Sequence, residues 1–448
     1  SRDRSVSDAV AAQLLPRSAG EYLFEDLNWS IAHHTPNDTS GFSATVFAQG
    51  TTKVLAIRGT EPNDALDIYQ DLLRADLADI GILGVAATQA VSLFNYVQRL
   101  IAPAGASNVV QLALRKSDLP PPGSTAFIDQ GELAADRYLW LEASYSGTGL
   151  GILKAGDQVT VTGHSLGGHL AALALRLFPN VLSEAFTFNA PGFDPPLTSS
   201  RLTDQFVGLF AAFTPAPPAT SFQAVADRIH TLQSESSAPG DDAEFISGDL
   251  TGLPPSAETA IATEKNSHSI DQIVDALAVQ GLLARLNPSL TLAQITQVYE
   301  AASREPGSTD ERIVEALSTL ILANPSPLPV GEAASLTGEA PFETRTALHD
   351  RIVAIGQRLD DLGGLTLQSL LDPRNADIVA KATTDVAYRH ALATLQPFAL
   401  TGDAALYAGL DDAGQLSLFD PVARSGALNA YACCTAAKCC CGACRISA

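Results

Sequence analysis

Period-two alternation marks the first regular stretches of this chain. Phe42-Ser43-Ala44-Thr45-Val46-Phe47-Ala48 places apolar residues at every second position, Gln49-Gly50 turns, and Lys53-Val54-Leu55-Ala56-Ile57 follows, which predicts two strands. Gln89 to Ile101 switches to helical spacing, with an apolar stripe on one face. A β-branched run, Val159-Thr160-Val161-Thr162, then leads into Gly163-His164-Ser165-Leu166-Gly167-Gly168, and an Ala/Leu-rich helical pattern from His169 to Phe178 leads out. Ala185-Phe186-Thr187-Phe188-Asn189 and Arg228-Ile229-His230-Thr231-Leu232-Gln233 read as two more strands. Strands alternating with helices through about residue 270 predict the α/β class, with a mostly parallel sheet covered on both faces.

Elsewhere the pattern is weaker or different in kind. Asp8 to Leu15 reads as a short helix and Asp67 to Asp79 as an acidic helical segment, while residues 103–135, punctuated by Pro120-Pro121-Pro122-Gly123, read as loop. From Ile270 onward the periodicity is helical only: Ile273 to Leu286, Leu292 to Ser303, Glu311 to Leu322 and Arg345 to Leu362 are amphipathic and separated by Pro/Gly breaks. Asn324 to Pro329 is the best linker candidate, the signal weakens from Tyr388, and no element is predicted past Phe419. The expected organisation is therefore an α/β core over 1–275, a helical C-terminal region over 276–432 and a tail over 433–448.

Composition narrows the function classes. With 448 residues, 46% of them hydrophobic and only 17% charged, the chain has the material for a large buried core. A formal charge of −22 argues against nucleic-acid binding and against simple electrostatic adhesion to anionic membranes, so any interfacial lipid contact is expected to be hydrophobic. No apolar run reaches the ~20 residues that cross a bilayer; the nearest, Ile80 to Phe94, is interrupted by Gln89. All six cysteines fall at 433, 434, 439, 440, 441 and 444. With no second ligand pair elsewhere, that cluster is expected to be a tail rather than a metal site. A cysteine-free body suits an exported protein, although the sequence opens Ser-Arg-Asp-Arg-Ser with no secretory signal. No cofactor motif and no nonapeptide calcium repeat occurs, so no cofactor is expected, while a structural calcium, which nothing in the sequence indicates, and the oligomeric state are left open.

Candidate chemistry centres on Ser165. Gly-x-Ser-x-Gly between a strand and a helix is the pattern of a nucleophile elbow, in which a sharp turn lifts a serine hydroxyl above the sheet while the helix N-terminus points free N–H groups at the same spot. Acyl transfer from such a serine needs a base, a group that orients the base, and donors for the oxyanion. Of eight histidines, His33 and His34 precede the serine, His164 and His169 belong to the elbow, His230 lies mid-strand, and His349 and His390 lie inside helical patterns. His268, in the polar loop Asn266-Ser267-His268-Ser269, is the expected base. The acid should follow the strand at 228–233; Glu235 and Asp241 are the leading candidates, with Asp242 and Glu244 also available.

Taken together, K-V-L-A-I-R-G-T at 53–60 and V-T-V-T-G-H-S-L-G-G at 159–168 resemble the class 3 lipases and the bacterial secreted lipases that share their α/β-hydrolase core, over roughly residues 40–275. That resemblance implies an α/β-hydrolase fold and cleavage of lipid carboxylic esters, with Ser165 as nucleophile and Thr60 with the Leu166 N–H as oxyanion hole. The chain departs from the family in lacking a clean Asp-Pro-Val acid motif and in its long helical C-terminal region. Other readings are a phospholipase effector acting on membranes and a non-catalytic lipid-binding protein on the same scaffold. The segment 203–222 has Phe206, Leu209, Phe210 and Phe213 at helical spacing where such folds carry lids, and reads either as a lid or as core.

Overall fold

The computed structural model describes residues 20–59, 79–80, 82–123, 125–132, 134, 136–193, 201–214, 216–236, 258–263, 270–302, 309–322, 325–329, 342–371, 377–411, 416, 422 and 424–428. Its centre is a seven-stranded sheet built from β1 (Ser30–Thr35), β2 (Ala44–Gln49), β3 (Thr52–Ile57), β7 (Gln158–His164), β8 (Glu184–Phe188), β9 (Ile229–Ser236) and β10 (Glu258–Thr263), in that spatial order. The β1–β2 and β2–β3 pairs are antiparallel, and every pair from β3 to β10 is parallel. The molecule is thus mixed α/β with a mostly parallel sheet.

Alternation along the strands selects the buried face. Val46, Leu55, Ile57, Val159, Val161, Ala185, Thr187, Ile229 and Thr231 are all buried. This face is covered by α1 (Ala87–Ile101) and α2 (Leu166–Leu177), which share a core cluster with it. Positions on the other face, among them Val54, Ala56, Thr160, Thr162 and Phe186, are only half-buried. Among the described residues the first face is the more completely covered.

The expected loop at 103–135 contains two strands, and residues 109–147 together form a small sheet. They hold β4 (Val109–Ser117), β5 (Phe127–Asp129) and β6 (Tyr138–Gly147), which form a separate antiparallel sheet in the order β4-β6-β5. Its inner row, Leu112, Ile128, Leu139 and Leu141, joins the main core. The buried positions of β4 do not alternate, and it pairs with β6 across a long connection, so local periodicity is a poor guide here.

The helix α3 (Arg201–Leu209) follows β8, and Phe206 on it and Phe210 just after it are core. Phe206 and Phe210 are fully buried, with Phe210 5.0 Å from Phe94 and Phe94 5.4 Å from Phe178 between ring centroids. Leu209 and Phe213 pack beside them, half-buried. Arg176, 1% exposed, anchors this region: its guanidinium donates to Asp204 Oδ1 at 2.5 Å and to the Thr220 carbonyl at 2.9 Å, and lies over the Phe222 ring.

The remaining helices, α4 (Ile270–Leu286), α5 (Leu292–Ala302), α6 (Thr309–Ile321) and α7 (Phe342–Leu362), start and stop close to their expected bounds. With the hairpin β11 (Thr366–Ser369) and β12 (Phe398–Thr401), and α8 (Ile378–Thr384) and α9 (Val386–Thr394) between its strands, they share a second core cluster. That cluster includes Ile261 and Ala262 of β10. Within the linker candidate Asn324–Pro329, Leu328 is buried against it. The expected helix at Asp8–Leu15, nearly all of the acidic segment 67–79 and the cysteine tail lie outside the described residues. Among the described residues no helix is long and apolar enough to cross a membrane.

A buried ionic knot ties α4 to α7. Arg345 donates through Nε and Nη2 to the two carboxylate oxygens of Asp275 at 2.9 and 3.0 Å, and His349 Nε2 lies 2.7 Å from Asp275 Oδ1. Burial works to raise the Asp275 pKa, but His349 and Arg345 outweigh it and hold the carboxyl below its ordinary range. A depressed folded-state pKa contributes stability above the ordinary carboxylate range, and that stability is lost as pH falls below about 4. Asp275→Asn should lower unfolding free energy by about 3 kcal/mol at pH 7. It should also flatten the acid limb, as measured by urea denaturation at pH 7 and near pH 4.

Candidate functional site

The site begins at the C-terminal end of β7. Ser165 follows its last residue and has φ 55° and ψ −129°, a backbone region that side chains other than glycine rarely occupy. Such strain persists only where the surroundings over-determine it. Here the Ser165 N–H donates to the Phe188 carbonyl at 2.9 Å, and the Ser165 carbonyl accepts from the N–H groups of Gly168 and His169 at 2.9 and 3.1 Å. The turn thus closes on β8 and α2 together. Ser165 is half-buried and sits at the N-cap of a 12-residue helix.

Close backbone approach explains the glycines. A Cβ on Gly163 would lie 2.3 Å from the Gly167 carbonyl group, and one on Gly167 would lie 2.3 Å from the Ile57 carbonyl oxygen. A Cβ on Gly59 would lie 2.5 Å from the His164 carbonyl oxygen and 3.4 Å from the Ser165 Cβ. The end of β3 is therefore pressed directly against the elbow, and Thr60 is the next residue along the chain.

Leu166 occupies the first turn of α2, and its buried side chain packs with Ile80 and Ala86. At this helix N-terminus the N–H groups of Leu166 and Gly167 precede the first intrahelical hydrogen bonds, and the helix end favours negative charge. Such an arrangement can place a serine oxygen and backbone donors on one developing oxyanion.

Of the other expected site residues, Glu235 is placed and three are not. Glu235 is exposed near the end of β9, and its carbonyl accepts from Thr263 Oγ1 at 3.4 Å. Its charge acts on Glu300 of α5, whose pKa is raised first by burial and then by Glu235. Thr60, Asp241 and His268 lie outside the described residues, as do Asp242 and Glu244. The described ends of the connecting chain are on the same sheet edge: β9 lies two strands from β7, and β10, five residues before His268, lies three strands away.

The remaining histidines have structural partners. His230 stacks on Phe186 at 4.5 Å, His33 Nδ1 contacts the Tyr96 hydroxyl at 2.9 Å, and His390 is buried beside Tyr407. His349 belongs to the Asp275 knot. Among the described residues no group of His, Cys, Asp and Glu is gathered that could hold a metal ion.

Two supports of the elbow were not expected from the sequence. Asn189, at φ 45°, takes the backbone N–H of Ser234 on its Oδ1 at 2.9 Å and donates Nδ2 to Ser234 Oγ at 3.1 Å, tying the ends of β8 and β9 beside Ser165. His169 is fully buried behind the serine. A histidine in a helix that is otherwise apolar but for Arg176 was the available signal for it. No family model, curated protein or solved structure matches this chain.

Gly167→Ala should lower stability by about 3 kcal/mol, because its Cβ meets backbone that cannot turn aside. Gly281→Ala, in the interior of α4 with open space around it, should raise stability by about 0.5–1 kcal/mol. Urea denaturation of the two variants against the parent chain measures both.

Proposed function

We propose that the chain is a serine hydrolase of the α/β-hydrolase fold that cleaves carboxylic esters of lipids through an acyl-enzyme on Ser165. The observation that carries this reading is the Ser165 backbone at φ 55° and ψ −129°, held between a parallel strand and a helix N-terminus. A serine in an ordinary turn needs neither that strain nor glycines on both sides.

In this mechanism His268 accepts the Ser165 proton as Oγ attacks the ester carbonyl. The backbone N–H of Leu166 and Thr60 stabilise the tetrahedral oxyanion, and its collapse expels the alcohol, protonated by His268. Water, deprotonated by the same imidazole, then releases the acid and restores Ser165. Glu235 or Asp241 orients the imidazole. These steps need no cofactor. The half-buried position of Ser165 supports access by a substrate from the sheet edge. An acidic chain favours apolar over electrostatic contact with the lipid.

Ser165→Ala should abolish hydrolysis of a soluble nitrophenyl ester and block labelling by a fluorophosphonate, with the melting temperature little changed. His268→Ala should cost a comparable factor, about 10⁴ or more in kcat, because the triad acts as a unit. Glu235→Gln and Asp241→Asn, assayed side by side, identify the acid by which of them loses activity. Persisting turnover in Ser165→Ala would refute the reading. Absence of both labelling and turnover in the parent chain would favour the non-catalytic lipid-binding alternative. Fatty-acid release from triacylglycerol and from phospholipid, compared directly, separates a lipase from a membrane-acting phospholipase.

A further inference from the structure

One helical turn beyond Ser165, α2 buries an imidazole. Its neighbours in the helix are Leu, Ala and Gly, yet His169 is 0% exposed and occupies the flank facing α1 and the loop after β8. Leucine would fill such a space without the cost of burying a polar ring. The ring is retained with two backbone partners. Nδ1 lies 3.2 Å from the Pro191 carbonyl oxygen, and Nε2 lies 3.4 Å from the Ala86 nitrogen.

Partner chemistry fixes the tautomer. A carbonyl only accepts, so Nδ1 carries the proton and donates to Pro191. A backbone N–H only donates, so Nε2 is unprotonated and accepts from Ala86. The ring is therefore neutral. Burial moves its pKa the same way, down to about 4, while the Pro191 and Gly192 backbone works weakly against it. Stacking on Phe193 at 4.1 Å, itself 3.9 Å from Phe222, fixes the plane of the ring.

What the ring holds is more telling than the ring. Ala86 is the N-cap of α1 and provides no side-chain cap, so His169 serves the N–H of that N-cap from a different helix. Ala86 and Ile80 pack on Leu166, whose N–H is an oxyanion donor in the proposed mechanism. At the start of the same segment Asp79 pairs with Lys116 at 3.0 Å. The connection that begins at Thr60, the second proposed donor, thus ends in a segment pinned to the elbow helix through His169.

We infer that His169 is a positioning residue for the oxyanion hole: its neutral ring locks the segment 79–86 onto Leu166, and so holds the donor N–H where the transition state needs it. The inference rests on the reading of Ser165 as nucleophile. His169 never meets substrate, being sealed from the surface.

The two polar ends of the ring can be removed separately. His169→Gln retains an acceptor near the Nε2 position, toward Ala86. His169→Asn retains a donor near the Nδ1 position, toward Pro191, and loses the Ala86 contact. On a soluble nitrophenyl ester, His169→Asn should lose about tenfold in kcat with KM unchanged, the scale expected of a sub-ångström misplacement. His169→Gln should remain within about threefold of the parent, and both should still label at Ser165. Ala86→Pro removes the same N–H from the other side, at a φ of −68° that proline adopts, and should reproduce the kcat loss. Equal kcat in the Gln and Asn variants, a melting-temperature loss with kcat intact, or a folded Ala86→Pro with parental kcat would overturn the inference. No labelling of Ser165 in the parent chain would instead remove the hydrolase reading beneath it.

Discussion

The structure is organised around a backbone crossing too tight for any side chain. At the end of β7 the chain reverses into α2 within one residue, and the carbonyls of Ile57, His164 and Gly167 come within 2.5 Å of where Cβ atoms would stand on the glycines they meet. Three elements, β3, β7 and α2, can converge there only because the glycines have no Cβ. That convergence forces Ser165 into positive φ, and the strain is held by hydrogen bonds from β8 and from the first turn of α2.

Much of the remaining architecture holds that crossing still. Asn189 straps β8 to β9 next to the elbow, and its own positive φ places a second strained residue at the same sheet edge. Behind them, the aromatic core of Phe94, Phe178, Phe206 and Phe210 anchors α1, α2 and α3 to one another. Phe206 and Phe210, from the aromatic run at 203–222, are fully buried in this core.

The helical region contributes through its own core and the buried Asp275 knot. Asp275 carries three contacts from Arg345 and His349, so that two oxygens of a buried carboxylate are both satisfied. A pair of this kind adds less to net stability than to fixing which helix faces which, since any slip would strand a charge in an apolar interior. Ile261 and Ala262 of β10 pack into this second core while their strand belongs to the sheet. The last strand before His268 is thereby shared between the two.

Local pattern alone determined β2, β3, β7, β8, β9 and helices α4 to α7, because each buries one face and so carries its period in the sequence, while α2, buried on every side, was marked by its Ala/Leu-rich run. The elbow was legible for the same reason: a glycine–serine motif between a strand and a helix encodes its own turn. Tertiary structure decided the rest. The sheet of β4, β5 and β6 is held by pairing across a long connection and shows little periodicity of its own. His169 and Asp275 gain their meaning from Ala86, Pro191, Arg345 and His349, partners 22 to 83 positions away. No local window contains such pairs, since a buried polar group is explained only by whatever the completed fold places against it.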